Sequence, residues 1–144
     1  MMKVLTLLRG MIIAGLLFVS CDQETDNISA GCDQSVIISS DKYTDAPNDP
    51  LTIVSAELNG DCLKINFASG GCSGNSWVVK LIDSGVVLYS NPPQRNLRLS
   101  LKNHELCDAY IGKEVTFDVK DLQVSGNKVL LNITNSGDQV LYEY

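Results

Sequence analysis

Histidine is almost missing from this chain: among 144 residues only His104 carries an imidazole. Any acid–base or metal scheme built on imidazole must therefore run through that one side chain. Basic residues are scarce as well, 11 Lys and Arg against 17 Asp and Glu, for a formal net charge of −6. Affinity for phosphate backbones comes mainly from Lys and Arg that displace counterions, so nucleic acid is not an expected partner. No apolar run reaches the roughly 20 residues that a membrane-spanning helix requires. The cysteines at 32, 62, 72 and 107 are separated by 29, 9 and 34 residues, without the C-x₂-C knuckle of a zinc site. The acidic turns at Asp45 to Asp49 and at Asp121 do not follow the calcium-loop pattern. No internal repeat is present, and no metal or cofactor is expected.

What the amino terminus does contain is a basic start with Lys3 and Arg9, an apolar run from Met11 to Val19, and then Ser20-Cys21. That is the three-part layout of a secretory signal over residues 1–20, with polar Asp22, Gln23 and Glu24 following at once. Phe18-Val19-Ser20-Cys21 resembles a lipobox, the motif cut just before an acylated cysteine, although Phe18 stands where Leu is usual. The expectation is a lipoprotein with palmitate-type chains on Cys21, held to the cell envelope through a lipid anchor in the outer membrane. Loss of Lys3 and Arg9 with the signal leaves nine basic residues against 17 acidic ones, a net charge of about −8. Asp22, Glu24 and Asp26 resemble the acidic export signals of Bacteroidota-type surface lipoproteins.

With Cys21 assigned to lipid, Cys32, Cys62, Cys72 and Cys107 are an even set in a compartment that permits disulfides, and counting alone leaves three pairings. Residues 21–50 are polar and turn-rich and read as a lipidated tether, with one short strand at Val36-Ile37-Ile38. Residues 51–144 change to period two, the mark of half-buried strands. Leu63, Ile65 and Phe67 alternate with polar neighbours, as do Leu97, Leu99 and Leu101, and Val115, Phe117 and Val119. Asn59-Gly60-Asp61 reads as a hairpin turn, and Asp83-Ser84-Gly85 as a second one leading into Val86 to Tyr89. Over residues 104–111 the alternation stops, and Asn103 stands where a helix cap would, so a short helical crossover is expected there. About eight strands with frequent turn signals make a mainly β, antiparallel sandwich the expected fold.

Few groups could carry chemistry. His104 lies three residues before Cys107, the spacing of a Cys/His nucleophile pair on a helical turn, but an oxidised Cys107 could not supply the thiolate. Glu105 and Asp108 are the carboxylates that an acid–base cleft around His104 would gather. Gly71-Cys72-Ser73-Gly74-Asn75 lacks the last glycine of a nucleophile elbow, and the glycines fit a turn with positive φ near a crosslink. Trp77 could stack on a sugar with Asn75 and Ser76 beside it, yet it shares parity with Val79 and Leu81 and reads as core. Tyr142 and Tyr144 face the same way as Val140 and close one edge. The turns Gly70 to Ser76 and Asn91 to Arg95 are candidate contact surfaces.

From Gly70-Gly71-Cys72 through Trp77, Pro92-Pro93, Glu105-Leu106-Cys107 and Phe117-Asp118-Val119, the chain resembles small β-rich Bacteroidota-type lipoproteins. The likeness covers roughly the last 90 residues. It implies a Cys72–Cys107 bridge, with Cys32–Cys62 as the second, and brings a fold without an assigned activity. Relatives often carry a His after the first Cys, where this chain has Gly74-Asn75-Ser76, so no role for that His is inherited. The expected function is a non-enzymatic binding or structural module with an unknown protein or glycan partner. The alternative is a glycan-binding accessory protein of an outer-membrane uptake system.

Overall fold

The computed structural model describes residues 31–144, so the expected signal peptide and Cys21 lie outside the described residues. In chain order the elements are β1 (Gln34–Ser35), β2 (Ile37–Ile38), α1 (Ser40–Asp45), β3 (Thr52–Asn59), β4 (Cys62–Gly71), β5 (Val78–Leu88), β6 (Gln94–Lys102), β7 (Ala109–Asp118), a 3₁₀ turn (Lys120–Leu122), β8 (Lys128–Ile133) and β9 (Asp138–Glu143). Two sheets face each other, one ordered β1-β7-β4-β3 and the other β2-β5-β6-β8-β9. The alternating positions meet between them: Leu63, Ile65, Phe67, Leu97, Leu99, Leu101, Val115, Phe117, Val129, Leu131 and Ile133 are all buried in one core. Period-two spacing puts these side chains on one face of each strand, and burying that face against the opposite sheet is the main stabilising term.

The sheets are mixed, a correction to the antiparallel expectation. β1 runs parallel to β7, β2 to β5, and β6 to β8. The reason is topological: β6 and β8 are joined through β7 in the other sheet, so the chain returns beside β6 in the same direction. The amino-terminal part contributes to both sheets in turn, with Gln34–Ser35 on one and Ile37–Ile38 on the other, and Val36 buried between them.

Residues 32–50, expected as tether, therefore lie against the two sheets. Cys32 is bonded to Cys62. Ser39 caps α1 by accepting from the Lys42 N–H at 3.2 Å. The helix has six residues, and Arg98 of β6 gathers the carbonyls at its carboxyl-terminal end. That guanidinium donates to the carbonyls of Tyr43 (2.8 Å), Ala46 (3.1 Å) and Lys42 (3.3 Å). The Ser100 hydroxyl donates to the Pro47 carbonyl at 2.6 Å, continuing the attachment.

Three local expectations change. Asp83-Ser84-Gly85 is a bulge inside the single strand β5, which pairs with β6 on both sides of it, Asp83 opposite Leu97 and Val87 opposite Arg95. Gly85 takes φ +76° there, so the same residues that serve a turn serve a bulge. Residues 103–108 form no helix, and β7 begins at Ala109. Asn103 instead accepts the Glu105 N–H (2.9 Å) in an Asx turn and donates to the Gly70 carbonyl (2.7 Å). In the first hairpin, Asn59 pairs with Cys62 as the last residue of β3, so the turn pair is Gly60-Asp61, with only Gly60 at positive φ.

Tyr142 closes the side of the sandwich where β9 approaches the β3–β4 turn. It is fully buried, donates to Asp61 Oδ1 at 2.6 Å and accepts from Gln123 Nε2 at 2.8 Å. Burial and the Asp61 carboxylate push its pKa up to about 12.

Candidate functional site

The end of the sandwich formed by the β4–β5 and β6–β7 connections carries the built geometry. β4 finishes in Gly70-Gly71, and a Cβ on Gly71 would lie 2.9 Å from Trp77 Cζ2, so only glycine lets the strand pass the indole. The loop then turns through Gly74 at φ +70°. This conformation aims successive backbone N–H groups inward at one carboxylate. Glu105 Oε1 accepts from Cys72 N (3.2 Å), Ser73 N (2.8 Å) and Gly74 N (3.0 Å). Such a run of amides is an anion-holding nest. The Ser73 amide above all, with those of Gly74 and Cys72, holds the Glu105 carboxyl below the ordinary carboxylate range against a smaller opposing effect of desolvation.

The Cys72–Cys107 disulfide ties the same two loops covalently, with its Cα atoms 4.8 Å apart. Cys107 therefore has no thiolate to pair with His104, which is exposed. Glu105 is occupied by the nest, and Asp108 is exposed on the same loop. Among the described residues no group of three or more His, Cys, Asp or Glu is placed to hold a metal ion.

Trp77 is half-buried against the core, its ring centroid 6.0 Å from that of Phe67. Gly71 and Gly74 cover it, and a Cβ on Gly74 would stand 2.6 Å from Lys113 Cε and 3.1 Å from Trp77 Cε3. Lys113 Nζ donates to Asn75 Oδ1 at 3.3 Å beside a shallow cleft of about 280 Å³. The indole thus packs against the core, as its parity with Val79 and Leu81 implied, and also lines this cleft.

Two candidate surfaces from the sequence lie apart. Gly70 to Ser76 precedes β5 and Asn91 to Arg95 follows it, so the length of that strand, roughly 27 Å once its bulge is allowed for, separates them. Arg95 is also withdrawn from the surface, since its Nη1 donates to the buried Asp83 Oδ1 at 2.9 Å. What joins Gly70 to Ser76 is the 103–108 loop, which stands in place of the expected helical crossover. At its tip Leu106 is 95% exposed, an aliphatic side chain standing free on a crosslinked loop. The break in alternation just before Cys107 was the available signal for it.

Replacing Glu105 by Gln should free this loop. The variant is expected to exchange its Ser73 and Gly74 amide hydrogens faster than the wild type, while amides in β4 and β7 keep their rates. In the wild type the nest's contribution is complete above the ordinary carboxylate pKa and is lost as pH falls through the depressed folded value. Hydrogen exchange read by mass spectrometry checks both statements. Unchanged Ser73 and Gly74 rates in the variant would contradict them.

No known family model and no curated protein matches this sequence. Two solved Bacteroides structures share its fold. A NigD-like immunity protein from Bacteroides caccae superposes with a TM-score of 0.57 at 14% identity, over 75% of this chain and 57% of that one. A protein of unknown function, DUF1344, from Bacteroides vulgatus gives 0.51 at 18% identity, over 77% and 56%. The chain spans less than two thirds of either neighbour, and at such identities the likeness concerns the fold alone.

Proposed function

We propose that this chain is a non-enzymatic lipoprotein of the cell envelope, anchored through lipid on Cys21, whose β domain binds a protein partner at the disulfide-clamped end. The observation that supports this reading is Leu106, almost fully exposed on a loop that Cys72–Cys107 and the Glu105 nest both hold. A loop ordered before binding loses little entropy on binding, and an apolar anchor on it contributes more of its buried area to affinity. At 14% identity the neighbour named as an immunity protein lends its fold and not its role.

One experiment tests both parts. Cells making the full chain with a photo-crosslinking residue at Ser76 are fed an alkyne fatty acid. The label is expected on the wild type and not on Cys21→Ala. A protein adduct is expected, reduced at least about tenfold by Leu106→Asp, the loss of one apolar anchor, and undiminished in His104→Ala. Loss of the adduct only in a folded His104→Ala variant would overturn the non-enzymatic reading, and label on Cys21→Ala would overturn the anchor.

A further inference from the structure

Among the described residues, the sheet of β1, β7, β4 and β3 is incomplete beside β7. β1 accompanies β7 only at Phe117 and Asp118. Next along, Asp33 covers Thr116, its N–H donating to the Thr116 carbonyl (3.2 Å) and its carboxylate accepting the Thr116 N–H (2.9 Å). No described strand lies beside residues 109–115 on that side. Because Thr116 turns both backbone groups outward, the two-residue period turns those of Glu114, Gly112 and Tyr110 outward as well, while the odd-numbered residues bond to β4. A long bare edge of this kind is a template for another strand, and soluble proteins usually cover it. Gly31, the first described residue, borders Glu57, Leu58, Cys62 and Thr116, and Cys32–Cys62 holds the chain there.

We propose that a second copy of this chain completes the sheet, β7 pairing antiparallel with β7 of the copy about a two-fold axis at Gly112. The three outward residues are symmetric about that point. Gly112 falls opposite its own mate and Tyr110 opposite Glu114, so the pairs exchange roughly six backbone hydrogen bonds before Asp33 ends the ladder at Thr116. The register sets no like charges face to face: Glu114 falls opposite Tyr110, and Lys113, its head turned to Asn75, falls opposite the apolar Ile111 of the copy. Side chains fit it too. A Cβ on Gly112 would meet nothing within 4 Å and its φ is not positive, so neither local packing nor backbone strain asks for glycine. Tyr110 is 70% exposed, and across the axis its ring lies diagonal to the copy's Gly112, within reach of an aromatic side chain. An aromatic laid over a cross-strand glycine restores the contacts that the glycine lacks.

The test uses the full chain, purified in mild detergent. Sedimentation should give twice the monomer mass. The register puts the two Gly112 Cα atoms about 5.5 Å apart, within disulfide reach, so Gly112→Cys should oxidise to a covalent dimer. Glu114→Cys, whose mate is offset by roughly 14 Å, should crosslink at least about tenfold less. Gly112→Pro removes an outward N–H and no β4 bond, and should weaken the dimer at least about tenfold. A wild-type chain that remains monomeric at about 100 µM would overturn the proposal, as would equal crosslinking at 112 and 114. Capture of a different protein's strand by Gly112→Cys would overturn the choice of occupant.

Discussion

Replacing Arg95 by Met should destabilise the fold by about 3 to 5 kcal/mol at pH 7, the usual cost of leaving one member of a buried ion pair alone. Asp83 is fully buried in the β5 bulge, and the Arg95 side chain is 11% exposed. One carboxylate oxygen accepts from Arg95 Nη1 and the Gly85 N–H at 2.9 and 2.8 Å, while Asp83 Oδ2 and Arg95 Nε have no partner among the described residues. Among the described residues Arg95 is therefore the countercharge in contact with a desolvated carboxylate. Burial raises the Asp83 pKa, and the Gly85 amide and Arg95 only partly pull it back. The sign of the linkage follows. Folded Asp83 holds its proton more tightly than unfolded Asp83, so its contribution is complete below the unfolded pKa and is lost as pH rises through the folded one. Without Arg95 that interval extends upward, and the variant's deficit should shrink on acidification. Urea unfolding between pH 4.5 and 8 checks this, and an Asp83→Leu/Arg95→Met double variant should regain most of the loss. A deficit that is the same at every pH would refute the argument.

Removing the Cys72–Cys107 bridge with two serines should cost about 4 kcal/mol in the chain-entropy account, given the 35-residue separation. That is a large share of the about 5 to 15 kcal/mol that holds a typical domain together. Both of these cysteines are exposed, whereas Cys32 of the other bridge is buried. A mild thiol reductant should consequently open Cys72–Cys107 first, and differential alkylation with peptide mapping shows the order. Denaturant midpoints of the double-serine variant measure the energetic part. A loss below about 1 kcal/mol would mean that the nest and the strand ladder already restrict the loop in the unfolded chain.

Much of the core was legible because strand facing is a local property. Leu63, Ile65 and Phe67, or Leu97, Leu99 and Leu101, announce a buried face through their own spacing, whatever lies opposite. The mainly β class and the packing of Trp77 against the core followed from the same parity, and the likeness to known lipoproteins implied both disulfides. Turn chemistry was legible as chemistry but not as outcome. Asp83-Ser84-Gly85 offers the same positive φ to a hairpin or to a bulge, and β6, pairing on both sides, selected the bulge. At 103–108 the missing alternation fitted a helix as well as a pinned loop.

What the sequence determined by itself is therefore whatever depends on neighbours along the chain: most of the strands, their inward faces, the acidic charge and the even set of four cysteines in the domain. The tertiary structure alone decided which strands run parallel, that Gln34 to Asp45 pack against both sheets, and that Arg95 serves Asp83. It alone brought Glu105 to three amides more than thirty residues away in the chain. Those arrangements rest on contacts between distant segments, and a residue's type and local period carry no information about which distant group will stand beside it.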